Sequence, residues 1–142
     1  MKKTSLLLTF LLLSIITLSA QSLEPTYKGI LCYITVDLTN DPVDTDGYLT
    51  YTITKPQESI NTNGYSFDFG VYGPGSPSLT NETYNTLDLR LRKNRIIKDM
   101  LFVEGNTWQT YLEFWVGKYY WSYYNPTYIY EHTYSIVLNI VR

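Results

Sequence analysis

Residues 107–124 read TWQTYLEFWVGKYYWSYY, and the alternation within this stretch decides the fold class. Trp108, Thr110, Leu112, Phe114 and Val116 fall on one side of an extended chain, and Thr107, Gln109, Tyr111, Glu113 and Trp115 on the other. That period of two is the signature of a strand with one buried face. Gly117-Lys118 places glycine first in a two-residue turn, so the spacing predicts a hairpin whose second strand starts at Tyr119. In that register Trp115 opposes Tyr120, Glu113 opposes Ser122 and Tyr111 opposes Tyr124, while Leu112, Phe114, Val116, Tyr119, Trp121 and Tyr123 form an inner face.

The predicted outer face then holds Tyr111, Trp115, Tyr120 and Tyr124 around Glu113, and these five residues are the candidate ligand-binding site. Flat rings on a sheet stack against the apolar faces of sugars, and a carboxylate with phenol hydroxyls takes the hydrogen bonds. The competing reading is structural, because cross-strand ring pairs contribute about 0.2–1 kcal/mol each to a sheet without any ligand. The concentration of rings is what raises the question: residues 108–134 hold twelve of the 23 aromatic residues.

Outward from the hairpin, alternation continues. Downstream, Tyr128 to Val141 is a last strand with Tyr128, Tyr130, His132, Tyr134, Ile136, Leu138 and Ile140 on one side. Upstream, Leu87, Leu89 and Leu91 interleave with Asp88, Arg90 and Arg92. Between Ile96 and Val103 a helical stripe competes with a strand, and the strand is preferred because Gly105-Asn106 would then turn it into Trp108. Residues 73–81, rich in glycine, proline and serine, are expected to form an exposed loop. Tyr65–Tyr72, Tyr48–Thr54 and Tyr27–Thr39 complete the set of strands, the second returning from the first through Asn40-Asp41-Pro42 and Asp46-Gly47. Many alternating segments and no long helix predict an all-β fold, a single antiparallel β-sandwich spanning residues 21–142, with a small barrel as the alternative.

The first twenty residues stand apart. Lys2 and Lys3 precede an apolar run from Leu6 to Leu18, and Ala20 is a small residue at a cleavage point, so they are expected to be a secretory signal peptide. Removing both lysines leaves nine basic residues against 13 acidic ones, a net charge of −4. An acidic exported protein has no bulk attraction for nucleic acid, and none is expected as a partner. Cys32 is the single cysteine, so no intramolecular disulfide forms, and its place on the apolar face of the first strand predicts a small buried hydrophobe. His132 is the one histidine, which leaves Cys32–His132 as a nucleophile pair supported by availability alone.

Asp41, Asp44 and Asp46 lack the later glutamate of a calcium loop, and no metal or other cofactor is expected. Arg90, Arg92, Lys93, Arg95 and Lys98 form a basic cluster, read first as a solvated face and second as an anion patch. No acid, base and nucleophile set is recognisable, so catalytic residues are not assigned. The sequence therefore points to a secreted, non-catalytic module that binds an extracellular glycan or another cell-surface ligand, at the cell surface or in the periplasm if the source is bacterial. A lipid-surface or pore-forming protein and a self-associating surface protein are the alternatives, since the same rings suit a membrane interface or a protein contact. Cleavage of the leader predicts exported material beginning at Gln21, and an intact mass that includes Met1 would contradict the compartment assignment.

Overall fold

The computed structural model describes residues 24–42, 45–61, 64–121 and 127–142. The expected signal peptide, Asp44, Ser122, Tyr123 and Tyr124 lie outside the described residues. In chain order the elements are β1 (Thr26–Asp37), β2 (Tyr48–Thr54), the one-turn helix α1 (Gln57–Ile60), β3 (Ser66–Tyr72), β4 (Ser78–Thr80), β5 (Thr86–Arg92), α2 (Lys93–Met100), β6 (Thr107–Tyr120) and β7 (Thr127–Val141). The strands form a four-stranded sheet in the order β1-β7-β6-β3 and a three-stranded sheet in the order β2-β5-β4. The described chain is mostly strand, neither sheet closes into a barrel, and the arrangement is consistent with a β-sandwich.

Alternation accounts for the core between the sheets. Leu112, Phe114 and Val116 of β6 and Ile136, Leu138 and Ile140 of β7 point inward with Ile34 and Val36 of β1. Leu87, Leu89 and Leu91 of β5 and Ile53 of β2 meet them from the second sheet. Each large side chain buried in this way is worth about 1.5–3 kcal/mol relative to leaving it in water.

Five expectations are corrected. The sheets are not wholly antiparallel, because β1 runs parallel to β7, with Cys32 opposite Ile136 and Val36 opposite Ile140. The strand Tyr48–Thr54 does not return beside the first; it pairs with β5 in the other sheet, Tyr51 opposite Leu89. Residues 93–100 are a helix, not the strand preferred from the sequence. Ile96, Ile97 and Met100 fall on one buried stripe there, whereas a strand face holding Ile97 and Leu101 would also have taken Asp99 inward. The 73–81 loop is partly buried and carries the short strand β4. Gly75, at φ +80°, presses onto α2 so closely that a Cβ there would lie 2.8 Å from Ile96 Cγ1.

The predicted turn at Gly117-Lys118 is the fifth and largest correction. β6 runs straight through both residues, with Gly117 opposite Asp68 of β3 and Tyr130 of β7. A glycine in a strand marks close approach of another group as readily as a turn, and here the close approach applies. Trp121, expected in the core, is accordingly 76% exposed. Phe114→Ala should cost about 3–5 kcal/mol in denaturant unfolding, and Trp121→Ala should stay within about 0.5 kcal/mol of wild type. Comparable losses from the two substitutions would refute this placement of β6.

Candidate functional site

The outer face of the four-stranded sheet is built by β6 and its two neighbours. Tyr111, Glu113 and Trp115 alternate with the buried Leu112, Phe114 and Val116, so all three point away from the core. β3 contributes Tyr72 opposite Glu113, and Gly70 opposite Trp115. β7 contributes Ser135 opposite Glu113 and Thr133 opposite Trp115. Between Val116/His132 and Gly117/Tyr130 the β7 register slips by one residue, leaving Glu131 as a bulge. The slip moves Tyr130 and Tyr128 onto the outer face while His132, Tyr134 and Ile136 remain on the other side.

Two glycines let large rings lie down on this face. A Cβ on Gly70 would come 2.9 Å from Trp115 Cε3 and 3.5 Å from the Tyr130 hydroxyl. A Cβ on Gly117 would come 3.0 Å from Tyr130 Cδ1. Trp115 therefore spreads across β3, stacked on Tyr72 with ring centres 6.3 Å apart and planes 6° from parallel. Its other neighbour is Tyr130, at 5.4 Å. Tyr119 and Tyr128 pair at 4.6 Å farther along the sheet. Trp115, Tyr130, Tyr128 and Glu113 line an open cleft of about 800 Å³, together with Tyr27 of β1 and Glu24 just before it.

The structure brings together three of the five residues proposed from the sequence. Glu113 and Trp115 line the cleft, and Tyr111, half exposed, lies on the same face beyond Glu113. Val137, between Tyr111 and Tyr33 in register across the sheet, is buried although it stands apart from the core cluster. Tyr120 does not join them. Its ring packs edge-on against Tyr65 at 5.7 Å and its hydroxyl donates to Glu131 Oε1 at 3.4 Å. The failed turn explains this: with β6 continuous, Tyr120 shares a parity with Val116 and Lys118 instead of opposing Trp115. Tyr124 falls outside the described residues.

The sequence reading missed Tyr27, Tyr72, Tyr128 and Tyr130 as cleft or face residues. Tyr72 was legible as the polar-side residue of its strand, but its partner was not. Tyr128 and Tyr130 were hidden by the bulge, which breaks the strict alternation assumed for the last strand.

A second polar cluster sits on the inward side of the same strands, beside Glu58, Tyr65, Lys118, Glu131 and His132. Several of its groups are paired with one another, whereas His132 Nδ1 is buried without a hydrogen-bond partner. Lys118 Nζ lies 3.0 Å from Glu131 Oε2, and that bond holds the Lys118 ammonium above its ordinary pKa. The Tyr134 hydroxyl donates to Glu58; burial, then this bond, raises its pKa. Elsewhere, three members of the basic cluster have partners within the fold. Arg90 and Arg92 lie over the Tyr48 ring at 4.2 and 5.7 Å, and Lys93 binds both oxygens of Asp41 at 3.0 and 3.2 Å. Cys32 is half-buried instead of fully buried, and that burial raises its thiol pKa. It lies opposite Ile136, four residues along β7 from His132, so the two are not cross-strand neighbours. Among the described residues no cluster of histidine, cysteine and acidic groups is arranged to hold a metal ion, and no helix is long and apolar enough to cross a membrane.

No protein-family model, curated protein or solved structure matches the chain.

The glycine–ring packing generates a test. Gly70→Ala should force Trp115 off the sheet, at a cost of about 1–3 kcal/mol typical of overpacking, and shift the tryptophan emission. In the Trp115→Ala background the same substitution should cost far less. Additive effects in this double-mutant cycle would show that the ring does not rest on Gly70.

Proposed function

We propose that the protein is a secreted, non-catalytic carbohydrate-binding module whose ligand stacks on Trp115 in the cleft of the outer sheet face. The observation that carries this reading is the pre-set aromatic floor. Trp115 packs closely over Gly70 and Tyr130 over Gly117, the two ring planes 56° apart, and Glu113 stands beside them at the cleft wall. Rings fixed on paired strands need little ordering when a sugar arrives, so less of the stacking energy is lost to entropy. The leader-like segment at residues 1–20 supports export, where glycans are available as ligands.

A second reading draws on Trp121. It is largely exposed and touches Tyr119, which packs on Tyr128, so this end of the sheet presents the amphipathic rings that favour a membrane–water interface.

A glycan array probed beside liposome flotation separates the two. Sugar binding without flotation is expected. Trp115→Ala should then weaken sugar binding by about 1–3 kcal/mol, the scale of ring stacking on nucleic-acid bases, with the fold retained by circular dichroism. Flotation that depends on Trp121, without sugar binding, would overturn the first reading in favour of the second.

A further inference from the structure

We propose that the cleft selects sugars carrying a protonated amine over neutral and acidic sugars of the same backbone. This rests on the glycan reading and adds the charge of the ligand to it.

Tyr27, Trp115, Tyr128 and Tyr130 present aromatic groups, Glu24 and Glu113 present carboxylates, and no lysine or arginine is among the described residues that line the cleft. The face of an aromatic ring is the negative part of its quadrupole, so rings and carboxylates favour the same charge on a ligand. The nearest cation along β6, Lys118, is on the inward side and tied to Glu131. Asp68, opposite Gly117 on β3, adds to the negative field: after burial, its charge is the next cause raising the Tyr130 phenol pKa.

Most of the other described acids have partners within the fold, the exposed Asp99 and Glu104 excepted. Glu131, Glu82 and Asp41 are paired with lysines, and Glu58 accepts from Tyr134. Among the described residues Glu113 and Glu24 have neither an ion pair nor a side-chain hydrogen bond. Glu113 stands on a central strand, where a cation opposite it would add cross-strand stabilisation, yet its neighbours are Ser135 and Tyr72. The fold thus leaves a charge uncompensated inside an aromatic-walled cleft. A ligand ammonium would supply the missing partner while its ring stacks, and a uronic acid would be repelled.

Both carboxylates are exposed, so the effect is that of a solvated ion pair, a few-fold in affinity and sensitive to salt. The test compares β-1,4-linked oligomers of glucose, glucosamine and N-acetylglucosamine of equal length, with oligogalacturonate as the acidic probe, by calorimetry on the exported protein. At about pH 6 and low salt the glucosamine oligomer should bind roughly three- to tenfold tighter than the glucose oligomer, the size of one or two exposed ion pairs. The advantage should vanish near pH 9, where a sugar amine loses its proton, and in about 0.5 M salt.

Glu113→Gln, a nearly isosteric change, should bring the glucosamine-to-glucose affinity ratio close to one, whatever it does to binding of the glucose oligomer itself. Equal affinities for all the neutral and cationic oligomers, lost together in Trp115→Ala, would overturn the charge selection and leave the glycan reading standing. A glucosamine preference unchanged in Glu113→Gln would also overturn it, since bulk attraction to an acidic protein would then suffice. Binding to none of the oligomers would overturn the glycan reading itself. Trp115-dependent binding of tetramethylammonium without any sugar binding would do the same, with cation selection surviving on another ligand.

Discussion

Continuous pairing of β6 on both of its edges is the constraint on which the rest of the structure depends. From Glu113 to Tyr119 the strand is bonded to β3 on one side and to β7 on the other, and β7 follows it along its full length. A strand held this way cannot slip by one residue without exchanging its two faces. Leu112, Phe114 and Val116 are therefore committed to the core, and Tyr111, Glu113 and Trp115 to the outside. The core and the candidate site are two consequences of one register.

Within that register, local features decide what kind of surface the outer face becomes. Gly70 and Gly117 open space on adjacent strands, and rings from their neighbours occupy it. Each glycine weakens its own strand, since it has no side chain to pack and loses more freedom on folding. The covering rings offset that loss and become fixed in the process. The bulge at Glu131 acts in the same place: it turns Tyr128 and Tyr130 outward beside Trp115 and leaves the carboxylate of Glu131 on the other side with Lys118 and Tyr120. A one-residue irregularity thus separates an aromatic cleft from a paired polar cluster.

The electrostatic character of the two sides differs accordingly. On the inward side carboxylates meet lysine or a phenol hydroxyl, which restores part of the solvation lost on folding. On the outward side Glu113 and Glu24 face the cleft with aromatic neighbours and no cation among the described residues that line it. Pairing within the fold explains the first arrangement. The second leaves both carboxylates to solvent, or to a ligand of the kind proposed above.

How much of this was legible in the sequence follows from the range of each signal. Alternation is a property of neighbouring residues, so the strands around Leu89, Phe114 and Leu138 and the all-β class were readable without knowing any partner. The outward placement of Tyr111, Glu113 and Trp115 was readable for the same reason. Partnership was not, because which strand lies beside which depends on contacts between distant segments. That is why β2 was assigned to β1 and why the parallel pairing of β1 with β7 went unseen. Gly117 shows the limit most clearly. By itself a glycine before lysine carries the same local information whether it turns the chain or makes room for a ring, and only the approach of Tyr130 from β7 decides between them. The helix at residues 93–100 was settled in the same way, by a buried stripe that β5 and the Gly75 loop were positioned to cover. Sequence determined which residues turn in and which turn out along each strand; the tertiary structure decided which of the outward residues meet, because pairing and bulges are set by energy summed over the whole sheet.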